Sequence, residues 1–537
     1  MSQVNLKNNI PMTWLLPVAM LALALLLPLR AHAAAPGITG PSFNLTAQTA
    51  NLNEPDGSSV YAWGYGCNGA PSGFAPAAIT GATCPSMQVP GPTLIVTEGQ
   101  TVTVNLLNGL PTAAGNTSIL FPGFQVTSTG GVAGLLTQEA APGGTVTYTF
   151  TASSPGTRSY FSGTQGDLQV EMGLFGAIIV LPASIPAACS AGLPTVNPGG
   201  NKTAQSTWGE ADFRLAASAY DHDKTCYDRE YLFQFSEMDA NIHNQAYKQV
   251  SDPGRIAACQ VGATAPGCGL QVPTEPYHPS YFMINGRSMP DDMDPNYAVE
   301  YPNQPYNGDP HMHPGEMVLL RVIGQGRWQH PFHQHANHTR ILARDGNLIL
   351  SPGDPESLAG RLEFTTDTTP GQAFDGIFYF TGRGLNWDMY GHEHKTSTDT
   401  NANLPCVPDA NGYNTGAPKA INYFEWCQDH NKPLQVAPFG DVAAGGPATL
   451  PDPDIFTNGN WYSGSPYLGP DATTRATGPN STFLPSNSQA NGASERGWAF
   501  MWHSHNEREI TTNNLFPGGM FMMMLVDSRE FVIDEQN

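Results

Sequence analysis

The chain has 537 residues, among them 57 glycines and 47 prolines, and only 13 % of it is charged. That length suits two or three domains, and the Gly/Pro content with recurring Thr/Val/Phe/Tyr alternation predicts an all-β architecture with long loops. The formal net charge of −22 argues against nucleic acid or anionic lipid as a partner.

Residues 1–33 read as a secretory signal. Lys7 supplies the positive start, Trp14 to Leu29 form the apolar stretch, and Ala31-His32-Ala33 is a small-residue cleavage site. Pro17, Pro28 and the small residues at 31–35 favour cleavage over a retained anchor. Cleavage removes Lys7 and Arg30 and no acidic residue, so the charge moves from −22 to −24. The expected destination is the periplasm or the medium, with no membrane span left after cleavage.

Short strand-like runs separated by Gly/Pro turns fill residues 38–182, for example Thr101-Val-Thr-Val-Asn-Leu and Thr145-Val-Thr-Tyr-Thr-Phe. This spacing predicts a first β-sandwich or barrel. Residues 183–227 read as a linker. A second set of strands follows from 228 to 535, including Tyr231-Leu-Phe-Gln-Phe, Met317-Val-Leu-Leu-Arg-Val-Ile and Met520-Phe-Met-Met-Met-Leu-Val. Within it, residues 385–494 lose regular alternation and read as a loop-rich insertion, with a third, degraded domain as the alternative. The eight cysteines behind a signal peptide predict disulfides, with Cys67–Cys84 and Cys259–Cys268 as the local pairs.

Two histidine clusters stand out: His330-Pro-Phe-His333-Gln-His335-Ala-Asn-His338 and Trp502-His503-Ser504-His505. A strand places residues i and i+2 on one face. His333 and His335 therefore share a face, as do His503 and His505, whereas His330 and Ser504 have the opposite parity. If the two strands are neighbours, four imidazoles converge, a set suited to copper or zinc. His311-Met312-His313 and His392-Glu393-His394 are weaker candidates in polar, loop-like surroundings. Met520, Met522 and Met524 share one face and read as core, with Cu(I) binding as the alternative.

His330-Pro-Phe-His333-Gln-His335 resembles the H-P-x-H-x-H motif of multicopper oxidases. Trp502-His503-Ser504-His505 with Gly518-Gly519-Met520 is similar to their H-C-H ending. In the first domain, Thr117-Ser-Ile-Leu120-Phe121-Pro122-Gly123 and Tyr160-Phe161-Ser162-Gly163 stand where the family has its other two histidine motifs. The resemblance implies two cupredoxin-like Greek-key domains and copper as cofactor. It also implies that His330 and the residue at 504 belong to the type 1 copper, and His333, His335, His503 and His505 to the trinuclear cluster.

The departures from the family pattern reshape that expectation. Ser504 replaces the thiolate ligand, Glu509 stands at the next type 1 histidine, and Leu120, Pro122, Phe161 and Gly163 replace the first-domain histidines. A hydroxyl is a poor substitute for a soft thiolate, so ordinary laccase-type reduction of O2 is not expected. The sequence instead predicts an exported protein with a reduced, mononuclear site. Its metal ligands would be His333, His335, His503 and His505, with His330 and Glu509 as additional ligands or supports. Copper is the expected ion and zinc the alternative, with a small-molecule reductant and a homo-oligomer as further expectations. Competing readings are a metal-free scaffold or binding module, and a copper storage or delivery protein.

Overall fold

The structure is a computed structural model that describes residues 34–189, 211–312, 316–379, 407–408, 464–467, 497–527 and 533. The predicted signal segment, most of the 385–494 stretch, His313, His392-Glu393-His394, Cys406 and Cys427 lie outside these residues.

Alternating burial builds the first sandwich. Along Thr101–Asn108 the apolar Val102, Val104 and Leu106 point inward while the residues between them are exposed or half-buried. Thr145–Thr151 does the same with Val146, Tyr148 and Phe150. The register sets Val102 opposite Phe150, Val104 opposite Tyr148 and Leu106 opposite Val146, so the inward sets meet on one face. These strands sit in a five-stranded sheet with Ser59–Cys67, Ser42–Asn53 and Thr127–Thr129. A second five-stranded sheet, containing Leu94–Thr97, Phe175–Leu181 and Gly156–Phe161, closes the core around Trp63, Tyr65 and Tyr160.

The second sandwich pairs a seven-stranded sheet with a six-stranded one. Its central strands Arg229–Met238 and Met317–Gly324 run parallel and are buried along their whole length. Continuous burial marks a strand covered on both faces. One face packs the domain's own core, where Phe233, Phe235, Phe332 and Trp502 meet Met520, Met522 and Met524. The other face, through Leu232 and Ile323, packs against Ala177 and Ile179 of the first domain. The architecture is thus the expected all-β pair of cupredoxin-like domains.

Besides a single turn at Gly166–Gln169, two longer helices interrupt this β pattern, and the sequence reading did not anticipate them. Ala240–Val250 starts at Asp239, whose side chain accepts from the Asn241 N–H at 2.9 Å. Pro253–Val261 starts at Asp252, which accepts from the Arg255 N–H at 2.8 Å with Pro253 opening the first turn. Both are ordinary N-caps. Cys67–Cys84 and Cys259–Cys268 are bonded as expected, and Cys189–Cys226 forms a third disulfide. No helix among the described residues is long and apolar enough to cross a membrane.

A buried polar junction locks the domains together. The Asp375 carboxylate accepts from the Thr157 N–H at 3.1 Å, the Thr157 hydroxyl at 2.6 Å and the Tyr220 hydroxyl. Arg321 lies 3.7 Å from the same carboxylate and is paired with Glu230 at 2.7 Å. Removing one member strands the rest in a dry site. Asp375→Ala is expected to cost roughly 3–5 kcal/mol, read as a lower urea midpoint for the transition that separates the two domains.

Candidate metal centre

The strand His330–Gln334 pairs antiparallel with Gly497–Ser504, with His333 opposite His503 and Phe332 opposite Ser504. That register decides where every histidine goes. His333, His335, His503 and His505 share the face turned away from the Trp502 core, and His330 and Ser504 turn to the other face.

On the first face three imidazoles converge. Ligand nitrogens of His333, His335 and His503 all lie within 4.8 Å of one another. The two Nε2 atoms of His335 and His503 are 3.3 Å apart. A tetrahedral ion with bonds of about 2.0–2.1 Å places neighbouring ligand nitrogens roughly that far apart. His503 donates from Nδ1 to the Ser504 carbonyl at 2.7 Å, which leaves Nε2 with its lone pair. His333 holds its Nδ1 2.6 Å from the Thr365 hydroxyl. His505 brings its ring centroid to 4.8 Å from that of His333, but it is exposed and not part of the tight group.

Two of the three converging rings, His333 and His503, are kept neutral. Burial, and then the neighbouring His335, His503 and His505, push the His333 pKa down to about 3. Burial likewise lowers that of His503. Neutral imidazole is the form that binds a metal.

The opposite face holds a different arrangement. His330 is fully buried, with Nδ1 2.9 Å from Glu509 Oε2 and Nε2 2.9 Å from Glu237 Oε2. The Ser504 hydroxyl also donates to Glu509, and the Asn506 amide donates to its other oxygen at 2.9 Å. Glu237 accepts in addition from the Arg327 and Trp328 N–H groups at 2.7 and 2.8 Å. Gly326, at φ +68°, makes this turn possible, because a Cβ there would lie 2.4 Å from Glu237 Oε2. Burial opposes charge on His330, yet the hydrogen bonds and the attraction of Glu237 and Glu509 outweigh it and raise its pKa to about 9.

The geometry therefore separates the six residues picked out from sequence. His333, His335 and His503 converge, His505 stands at their rim, and His330 and Glu509 bind each other instead. Glu237 belongs to the same cluster and was missed, because a single Glu in a strand 93 residues upstream carries no local signal. His311 lies 3.2 Å from Asp309, and His338 packs its ring 4.9 Å from Phe364. In the first domain, Leu120 and Phe161 exchange backbone hydrogen bonds at 2.7 and 3.3 Å. The Leu120 side chain covers Gly163, whose added Cβ would meet Leu120 Cγ at 2.7 Å.

Residues 81–184 match the family model for multicopper oxidases. Over that segment of its first domain the chain is similar to multicopper oxidases. A comparison with curated protein sequences finds no match. Among solved structures, the multicopper oxidase mgLAC is 14 % identical, at TM-score 0.42, covering 90 % of this chain and 85 % of that one. The blue copper oxidase of Nitrosomonas europaea is 15 % identical with the same TM-score and coverage. The copper nitrite reductase of Nitrosomonas europaea is 18 % identical, at TM-score 0.35, covering 64 % of this chain and 84 % of that one. These are loose likenesses and add no detail to the site.

Against the multicopper oxidase pattern that the sequence resembles, a type 1 copper does not fit the residues present. The soft ligand is replaced by Ser504, and the remaining imidazole has both nitrogens committed to carboxylates. A native pKa of about 9 against about 6.5 unfolded means that His330 stabilises the fold fully below pH 6.5 and loses that contribution as pH rises to 9. The loss is on the order of 3 kcal/mol. Urea unfolding of metal-free protein at pH 6 and above pH 9 should show it, and His330→Gln should flatten that part of the profile.

Proposed function

We propose that this protein is exported and holds one copper ion between His333, His335 and His503, for an oxidoreductase chemistry other than four-electron reduction of O2. The convergence of three imidazoles within 4.8 Å is the observation that carries this reading. Imidazole suits copper and zinc alike, and the resemblance to a copper-using superfamily favours copper. Bound copper would supply a one-electron couple.

The chain's own groups have separable tasks in this reading. His333, His335 and His503 hold the ion, while the Thr365 hydroxyl and the Ser504 carbonyl fix two of the rings through Nδ1. His505, exposed at the rim, faces the side from which a small reductant would approach. The Glu237–His330–Glu509 cluster fills the place of the family's electron-accepting copper with a fixed, redox-inert charge. Leu120 and Phe161 put apolar groups where the family's other ligands stand, which supports a mononuclear centre over a cluster.

The copper-storage reading loses its ligands. Met520, Met522 and Met524 are fully buried in the apolar core with Phe332 and Trp502.

Metal content by mass spectrometry decides the matter, on mature protein exported in copper- and zinc-replete medium and purified without chelator. One copper per chain is expected, and loss of it in the His335→Ala/His503→Ala double variant. Zinc in its place would keep the site and remove the redox role. A parent protein free of metal would overturn the reading in favour of a metal-free binding module.

A further inference from the structure

The three-histidine group occupies three corners of a square on the sheet, and the fourth corner is a methionine. The register that sets His333 opposite His503 continues by one more pair on the same face. The His335 N–H donates to the Met501 carbonyl at 3.1 Å, so Met501 lies directly across from His335. Met501 is also two residues before His503 on its own strand, which puts the two side chains on one face. Directly opposed residues in an antiparallel pair have Cα atoms about 5.5 Å apart or closer, with side chains on the same side. Met501 is half-buried, not sealed in the core like Met520, Met522 and Met524. On the next strand Met523 stands opposite Met501, and Phe521 stands opposite His503.

Beside the row of His333, His503 and Phe521 therefore runs a second row of His335, Met501 and Met523. His505 belongs to a third row, where its N–H donates to the Pro331 carbonyl at 2.8 Å. The side of the site toward His505 opens to solvent, and the side toward Met501 and Met523 is thioether-lined.

We propose that Met501 supplies the fourth ligand of the centre, making it a three-imidazole, one-thioether site that favours copper, and Cu(I) in particular, over zinc. This rests on the reading that His333, His335 and His503 hold a metal. A thioether is a soft donor that stabilises Cu(I) and adds little for Zn(II), which takes imidazole, thiolate or carboxylate. The site would then hold its ion most tightly in the reduced state.

Met501→Leu keeps the volume and apolar character of the side chain and removes only the sulfur. Cu(I) affinity, measured by competition with a chromophoric chelator, should fall by at least roughly tenfold, with Zn(II) affinity unchanged. X-ray absorption of the Cu(I) form should show a sulfur scatterer in the parent and none in the variant. Unchanged Cu(I) affinity with no sulfur scattering in the parent would overturn the proposal, as would a larger loss in His505→Ala than in Met501→Leu. The two levels separate cleanly. If His335→Ala/His503→Ala abolishes binding and Met501→Leu leaves it intact, the histidine site stands and the methionine ligand falls. If the parent binds neither ion, both fall.

Discussion

A single antiparallel register, His333 opposite His503, governs the chemistry of this protein. Because side chains alternate strictly across a strand, it sorts the histidines into two environments a strand's thickness apart. One face presents imidazoles that repel one another's protons. The other buries an imidazole between two carboxylates. A slip of one residue would drive His333, His335 and His503 into the Trp502 core and turn Phe332 and Phe500 outward. The apolar packing of Phe332, Phe500, Trp502, Met522 and Met524 is therefore what holds the metal-type face in place.

The two faces also show opposite solutions to burying a titratable ring. His330 has an acceptor for each nitrogen, so its charged form is the satisfied one. His333 has a hydroxyl on one side and other imidazoles around it, and burial with their repulsion outweighs the one hydrogen bond, to the Phe364 backbone, that would favour a proton. With a carboxylate against each of its nitrogens, His330 has no lone pair to offer an ion. That makes the His330 cluster self-sufficient, and the three-imidazole group is the one whose ligand nitrogens converge as a cation would need.

Much of this was legible in the sequence, for identifiable reasons. Strands whose alternation is apolar and regular, such as Thr101–Asn108 and Thr145–Thr151, were placed within a residue or two. Ser42–Asn53 was not, because its outward face is Asn, Thr and Gln and its length hides the period. Ala240–Val250 escaped because its helical stripe is short and its start signal is one Asp. The convergence of His333, His335 and His503 followed from parity once the strands were assumed adjacent. The pairing of His330 with Glu237 did not, since it depends on a crossover between sheets that no local pattern records. Met501 was visible as a residue before His503, but its place opposite His335 is a matter of register, which only the fold supplies.

The substitutions at the two ends of the chain read as one change in design. With Leu120 laid over Gly163, the first domain has a packed apolar surface where family members have ligands. Restoring histidine there would bring an imidazole into a place now filled by a leucyl side chain. With Ser504 and Glu509 bound to His330, the electron-accepting position is likewise filled by groups satisfied among themselves. Both changes are self-consistent packings, not vacancies left by lost ligands. A sheet that had lost all use for a cation would gain by replacing the outward histidines with smaller or apolar groups, because burial and neighbouring imidazoles hold His333 and His503 out of their charged state. His333, His335 and His503 lie within ligand distance of one another all the same, and it is this persistence of a convergent donor set that favours the single-ion reading over an inherited polar patch.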